Sequence, residues 1–272
     1  MDAVYIPTLS RIDTLRKTVP QWLEQELQVW LVIDRTEFAA HSNLRREMGW
    51  GSNIHIILLP LSGRGIGYAR NFIVQHARKM ELISIIMSDD EFFVHPDSNA
   101  CELLEEAEKP EVLGIGATRS LHDRFTGGAI SKMNGPILCP GGWGFQLFGL
   151  NIQRALDVGN FDRRLHTFGE DAELARQGIK HGTPWLVHCD VKCVSINKRE
   201  APGGISSKYN SPEARLTAEK ECQDIIHKMW PEYTNPVGKK PRVAWQKLLD
   251  NYIPDWKESS AIHGGSLDNL GR

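Results

Sequence analysis

Residues 63–92 read GRGIGYARNFIVQHARKMELISIIMSDDEF, and the order of signals in this stretch sets the fold class. A turn with glycine at 63, 65 and 67 opens a helix expected over residues 66–80. A short apolar run over 82–87 then reads as a strand. Ser88-Asp89-Asp90-Glu91 stands where that strand ends. Loop, helix, strand and acid in this order make a crossover unit of an α/β protein, laid out for a phosphorylated ligand and a divalent cation.

Working outward, strands are expected over 4–7, 29–33 (ending at Asp34) and 54–59 (ending at Pro60). A helix over 13–26 carries Leu15, Val19, Trp22 and Leu23 on one face. Further along, a helix near 100–108, a strand over 112–118, a helix over 170–180 and a strand over 185–194 continue the alternation. The fold class is therefore α/β, with a mostly parallel sheet flanked by helices, whose ligands bind beyond the carboxyl ends of the strands. Asp34, the Gly63 loop and Asp89-Asp90 all fall at such ends. Residues 1–200 read as the core. Residues 201–272, with Gly203-Gly204, scattered prolines and aromatics, read as an extension of loops and short helices packed on it, ending in a flexible tail over 263–272.

The 272 residues carry a formal net charge of -2, so any polyanionic partner must be met by local patches rather than by global charge. No apolar stretch approaches the ~20 residues that span a bilayer, and a strand-like run starting at Val4 leaves no room for a secretory signal. The 5 cysteines are odd in number and scattered, as free thiols of a reducing compartment are. A cytoplasmic protein without a membrane partner is expected.

Phosphates are held by backbone N–H groups at helix starts and by fixed cations. GRGIGYAR supplies both, the cations being Arg64 and Arg70; the same residues also fit a plain tight turn. The spacing G-x-G-x-G departs from the dinucleotide fingerprint, although Asp89 follows where a ribose-binding acid would, so an NAD-dependent oxidoreductase stays open. Two strand units before that loop speak against it. Crowded like charges at 89–91 suit Mn²⁺ or Mg²⁺, or else a helix first turn.

Glu170-Asp171 opens another helix. Thr167 and Glu170 fit a capping box, which leaves Asp171 free to accept a proton. In WLVHCDVKC (185–193), alternation puts Trp185, Val187, Cys189, Val191 and Cys193 on one face and His188 on the other. His188 is a candidate third metal ligand or a half-buried strand histidine. Lys239, Lys240, Arg242 and Lys247 lie among Trp230, Tyr233, Trp245, Tyr252 and Trp256, an arrangement that grips nucleic acid or simply edges the core.

These motifs resemble those of nucleotide-sugar glycosyltransferases of the GT-A, Rossmann-like fold, family 2 in particular. The likeness is carried by IPTLSR (6–11), Asp34, GIGYARN (65–71), Ser88-Asp89-Asp90, and GGWGF followed by FDRRLHTFGEDAELARQG (161–178). It implies that Asp90 holds Mn²⁺ or Mg²⁺ at a diphosphate, with Asp89 near the ribose. It implies that Asp34 accepts from uracil, that Thr8, Arg11 and Arg70 line the nucleotide, and that Asp171 is the catalytic base. Gly142, Trp143 and Glu170 fall in the acceptor segment. Ser88 stands where the first aspartate of a D-x-D motif belongs, so Asp89 and Glu91 are alternative working acids.

A narrower likeness is to the TET/JBP-associated glycosyltransferases of phages and kinetoplastids, which implies a hydroxymethylated pyrimidine such as 5-hydroxymethylcytosine in DNA as acceptor. The expected activity is thus transfer of a hexose from a UDP-sugar, UDP-glucose by default, to a hydroxyl. Its alternatives are a saccharide or lipid-linked acceptor, the oxidoreductase, or a non-catalytic nucleic-acid-binding module.

Overall fold

The structure, a computed structural model, describes residues 1–119, 134–138, 145–196, 209, 211–233 and 241–255. The strands are β1 (Ala3–Pro7), β2 (Gln28–Ile33), β3 (Ile54–Leu58), β4 (Ser84–Ser88), β5 (Phe92–Val94), β6 (Gly114–Arg119), β7 (Pro136–Ile137), β8 (Leu147–Asn151) and β9 (Trp185–Ser195). The helices are α1 (Ile12–Thr18), α2 (Pro20–Glu24), α3 (Phe38–Glu47), α4 (Ile66–Lys79) and α5 (Cys101–Ala107). They continue as α6 (Ile152–Asp157), α7 (Glu170–Lys180), α8 (Pro212–Met229) and α9 (Pro241–Tyr252).

The strands form a 9-stranded sheet in the order β3-β2-β1-β4-β8-β6-β9-β5, with β7 paired to β9. β3, β2, β1 and β4 run parallel. β8 then enters antiparallel to both β4 and β6. Strand order reverses between β1 and β4, and in an open α/β sheet such a switch point leaves a crevice beyond the carboxyl ends. Thr8 and Arg11 follow β1 and Asp89-Asp90 follow β4, so the two acidic and basic groups meet there.

Side-chain alternation splits the core into two layers. On β1 and β2, Val4, Ile6, Val29, Leu31 and Ile33 pack with Leu15, Val19, Trp22 and Leu44 of the helices on one face. Ala3, Tyr5, Trp30 and Val32 pack with Ile73, Val74 and Ala77 of α4 on the other. This second layer continues through Leu174 and Ile179 of α7, Cys222 and Ile226 of α8, and Trp245, Leu248 and Leu249 of α9.

Three local expectations change. The helix expected over 13–26 is divided at Pro20, which stands at the first position of α2; proline has no N–H to continue a ladder. Residues 212–229, expected among short helices, form one 18-residue helix. Its buried stripe is only Ala218, Cys222 and Ile226, spaced four apart, too narrow a pattern to announce itself. In β9 the pairing with β6 slips from Ala117↔His188 to Thr118↔Lys192. Three extra residues are an odd number, so the strand turns over. Trp185 therefore packs in the α4 layer while Val191 and Cys193 pack in the opposite one, and the single face expected for 185–193 does not exist. Among the described cysteines, Cys101, Cys189 and Cys222 are free thiols.

Candidate active site

A cavity of about 590 Å³ opens at the switch point. Its wall includes Thr8, Arg11, Asp34, Arg64, Arg70, Asp89, Asp90, Glu170 and Asp171. Nine of the residues singled out from sequence are thus brought to one place. Gly142 and Trp143 lie outside the described residues.

At the β1–β4 crevice, Thr8 Oγ1 donates to Asp90 Oδ2 at 2.6 Å and Arg11 Nη1 donates to Asp90 Oδ1 at 2.6 Å. The same Arg11 nitrogen lies 2.7 Å from Glu91 Oε2. Asp90 is 5% exposed; burial pushes its carboxyl up, against the pull of Arg11. Ser88 is buried and its hydroxyl donates to the Asp89 carbonyl, so the serine in the motif faces away from the cavity chemistry.

Arg70 is the centre of the second cluster. It is only 3% exposed, and its fork reaches three carboxylates: Nη1 to Glu170 Oε1 at 2.7 Å and Asp171 Oδ2 at 3.1 Å, and Nη2 to Asp89 Oδ1 at 2.9 Å. Its guanidinium carbon also lies 5.4 Å from the Phe148 ring centre and 5.9 Å from that of Phe161. Arg70, expected to line the nucleotide, lines the cavity and joins the acid at the end of β4 to the acid pair of α7. Burial raises the Asp89 carboxyl to about 6 and the Glu170 carboxyl to about 8, with Arg70 opposing both shifts. Glu170 Oε2 is buried without a hydrogen-bond partner.

The capping box does not form. Gly169, at φ 87°, caps α7 without a side-chain bond, and Thr167 Oγ1 meets the Tyr209 hydroxyl at 2.5 Å. Glu170 is consequently released from helix capping and spent on Arg70.

The glycine loop also works otherwise than expected. The N–H groups of Ile66 and Gly67, the natural phosphate donors of α4, give hydrogen bonds to His166 O (3.1 Å) and Leu165 O (3.2 Å). A Cβ on Gly65 would stand 2.2 Å from His166 O, and one on Gly67 2.4 Å from Asp162 O. These glycines let residues 162–166 dock on the helix start; the cavity keeps Arg64 as a cation. Gly63, also at positive φ (71°), has nothing within 4 Å of such a Cβ. Gly63→Ala is expected to cost about 1–2 kcal/mol for the left-handed backbone alone, and Gly65→Ala clearly more, through the added backbone clash. Urea unfolding of the two variants side by side checks the order.

Asp34 is 9% exposed. Its Oδ1 accepts from Ser62 Oγ (2.5 Å), Thr36 N (3.2 Å) and Thr36 Oγ1 (3.1 Å), and Oδ2 accepts from Gly63 N (2.9 Å). Although burial raises its carboxyl, these donors hold it below the ordinary carboxylate value. Oδ2 keeps a lone pair for one more donor.

His188 is not brought to this site. It is paired in register with Ala117, just before the slip in β9, and is 5% exposed, with Nε2 3.5 Å from Glu102 Oε2 of α5 and Nδ1 accepting from Val191 N. Burial lowers its basicity, and it reads as a neutral core histidine. Among the described residues no three His, Cys, Asp or Glu side chains already surround one point. Around Arg11 and Arg70, however, the carboxylates of Asp89, Asp90, Glu91, Glu170 and Asp171 outnumber the cations. An acid-rich wall with an orphaned buried oxygen fits a hard dication that is shared between one or two carboxylates and a ligand's phosphates.

Of the C-terminal aromatics, Trp230 and Trp245 are used for packing, Tyr252 is exposed and Trp256 lies outside the described residues. Trp230 and Trp245 are each 5% exposed, with Lys180 lying over the first ring at 5.9 Å and Arg176 over the second at 4.7 Å. Buried rings cannot stack on bases. Sequence reasoning missed Arg176 and, on α8, Arg215 and Glu219, which all line the cavity. No motif marked them, and only the docking of α8 brings them in.

The family model that matches residues 2–115 is that of the TET-Associated Glycosyltransferases. Over those residues the chain is similar to the TET-associated glycosyltransferases. The matched segment holds Thr8, Arg11, Asp34, Arg64, Arg70, Asp89 and Asp90, and stops before Glu170 and Asp171. Across 98% of this chain and 85% of its own, the mannosyltransferase PcManGT from Pyrobaculum calidifontis, solved with GDP-Man and Mn²⁺, has a similar fold (TM-score 0.55, 16% identity). Weaker likenesses are to mannose-1-phosphate geranyltransferase from Thermus thermophilus (13% identity, 71% of this chain, 75% of that one, TM-score 0.40). HddC from Yersinia pseudotuberculosis is another, at 10% identity, 83% and 100% coverage and a TM-score of 0.43. No curated protein matches the sequence. No described helix of this glycosyltransferase is long and apolar enough to cross a membrane.

Proposed function

We propose that this glycosyltransferase moves a hexose from a UDP-sugar, UDP-glucose by default, to the hydroxymethyl group of a 5-hydroxymethylpyrimidine in DNA, by one in-line displacement. The observation that carries the reading is the meeting, through Arg70, of the acid at the end of β4 with the acid pair that opens α7. The two acidic motifs thereby face a single cavity, one on the donor side and one on the acceptor side. A nucleotide-sugar donor is supported by the mannosyltransferase of similar fold solved with GDP-Man and Mn²⁺.

In this reading Thr8, Arg11, Asp34 and Arg64 bind the nucleotide. The Asp34 Oδ2 lone pair accepts a ring N–H of the base. Asp89 and Asp90 would hold Mn²⁺ or Mg²⁺, with Arg11 supplying the counter-charge at Asp90 here. Such a cation, when bound, neutralises charge that develops on the departing diphosphate. Asp171 takes the proton of the attacking hydroxyl, and Arg70 keeps that carboxylate aimed into the cavity. A single displacement inverts the anomeric carbon. A base inside a duplex is reached by flipping it or from the major groove.

The test is thermal stabilisation by UDP with and without Mn²⁺, followed by incubation of a UDP-sugar panel with hydroxymethylated and plain DNA, read by nucleoside mass spectrometry. At a hundredfold excess over Kd, binding should add about 2.7 kcal/mol. Stabilisation by UDP that is indifferent to metal would remove the cation from the reading. Sugar found on a saccharide acceptor but never on DNA would replace the acceptor. Asp90→Ala is expected to abolish metal-dependent UDP binding in calorimetry, and unchanged affinity would take Asp90 out of the site.

A further inference from the structure

The cavity does not end at the acid cluster. It runs on between α7 and α8 to Arg176, five residues beyond Asp171 and so about 7.5 Å further along the helix axis. The guanidinium carbon of Arg176 lies 4.7 Å from the centre of the Trp245 ring, which fixes the plane of the fork. Its Nη1 is buried with no hydrogen-bond partner.

The nearby carboxylates are committed elsewhere. Glu173 Oε1 accepts from Gln177 at 2.9 Å, Asp171 Oδ2 from Arg70 at 3.1 Å, and Glu219 Oε1 from Arg215 at 2.7 Å. Among the described residues Arg176 therefore makes no ion pair, whereas Arg11 and Arg70 on the same wall are paired at 2.6–3.1 Å. Burial pulls its basicity down to about 10, the sign of a cation kept from water with too little negative charge in contact. A stacked ring recovers part of that cost. The remaining demand is for an anion, and a planar fork matches a phosphate oxyanion best.

Position decides whose phosphate it is. On the proposed reading the donor end has its own cations, Arg11 beside Asp90 and Glu91 and Arg64. Arg176 follows Asp171, the proposed base, on α7 and shares its stretch of wall with Arg215 and Glu219 of α8; with Asp171 as base, that is the side assigned to the acceptor. We propose that Arg176 anchors a phosphate of the acceptor, so that the acceptor is a phosphorylated molecule whose reactive hydroxyl and anion lie within one side-chain span along α7. This inference rests on the transferase reading, with Asp171 facing the acceptor.

The experiment needs no known acceptor. The full-length protein is first saturated with UDP and Mn²⁺, filling the donor end, and inorganic phosphate is then titrated by calorimetry. Wild type is expected to bind it, Arg176→Gln to bind about tenfold or more weakly, and Arg176→Lys, which keeps the charge but loses the planar fork, to fall between the two, all with one UDP affinity. If UDP fails to bind wild type, the donor reading itself falls, before any phosphate is added. Wild type that binds UDP but no phosphate overturns the proposal. So does a parallel loss of UDP affinity in Arg176→Gln, which would put the arginine on the donor diphosphate. A second measurement uses wild type alone, so no variant has to fold. In the UDP-loaded protein, inorganic phosphate should slow phenylglyoxal labelling of Arg176 about tenfold, by peptide mass spectrometry. Labelling at an unchanged rate counts against the anchor.

Discussion

Asparagine at position 171 is expected to cut turnover about a hundredfold or more while UDP-sugar affinity stays at the wild-type value. The substitution preserves size and one of the two contacts that orient the side chain. Asp171 Oδ1 accepts from Ala172 N at 2.6 Å and Oδ2 from Arg70 Nη1 at 3.1 Å, and an amide oxygen can keep one of them. What asparagine cannot do is take a proton from the acceptor. Removing a general base lowers kcat and kcat/KM together when the interaction exists only in the transition state. Steady-state rates with donor affinity from calorimetry separate the two quantities. Near-normal turnover would reduce Asp171 to a residue of the helix start.

Arg70→Met should have the largest effect on stability, a loss of about 3–5 kcal/mol at pH 8, because breaking a buried charge network strands its partners. The loss should depend on pH in a definite direction. In the wild type, Asp89 is raised from 3.8 to about 6 and Glu170 from 4.5 to about 8. Both therefore favour the folded state below their unfolded values, and that contribution fades as pH rises through 6 and then 8. Arg70 is the group that opposes both shifts. Without it the two carboxyls rise further: they are largely neutral in both proteins near pH 5, while toward pH 8 the wild type gains from ionising them beside Arg70 and the variant does not. The stability deficit should accordingly widen from pH 5 to pH 8. Urea unfolding at pH 5, 6.5 and 8 measures it, and a deficit independent of pH would mean that Arg70 does not govern these acids.

The architecture was readable because the first four strands are apolar and each ends in a loop with its own chemistry. Parallel strands put those ends on one edge, so Asp34, the Gly63 loop and Asp89-Asp90 had to be neighbours. The partners of these residues were harder to see. Arg70 occupies the stripe 66, 69, 70, 73, 74, 77 on α4, where a charge signals burial and a buried counter-charge. That position was available in the sequence and was read as phosphate binding instead. Thr167 and Glu170 satisfy the spacing of a capping box, but tertiary contacts with Tyr209 and Arg70 outcompete it. The slip in β9 leaves no mark in a pattern of alternating residues, and it turned Val191 and Cys193 away from the layer of Trp185. Arg176 depends on where α8 comes to rest, which no local pattern encodes.

Residues 65–71 of α4 touch the segment 160–171 through backbone at Ile66 and Gly67, through Arg70, and through Asn71, whose amide donates to Phe161 O at 2.7 Å and whose Oδ1 accepts from Arg163. In the proposed reaction, leaving group and attacking oxygen would both be gauged from this one helix. Reacting atoms must approach to about 3–3.5 Å, and a single ruler would then set that tolerance. A catalyst so constructed should lose rate from small tilts of that helix, even when every residue at the chemistry is intact.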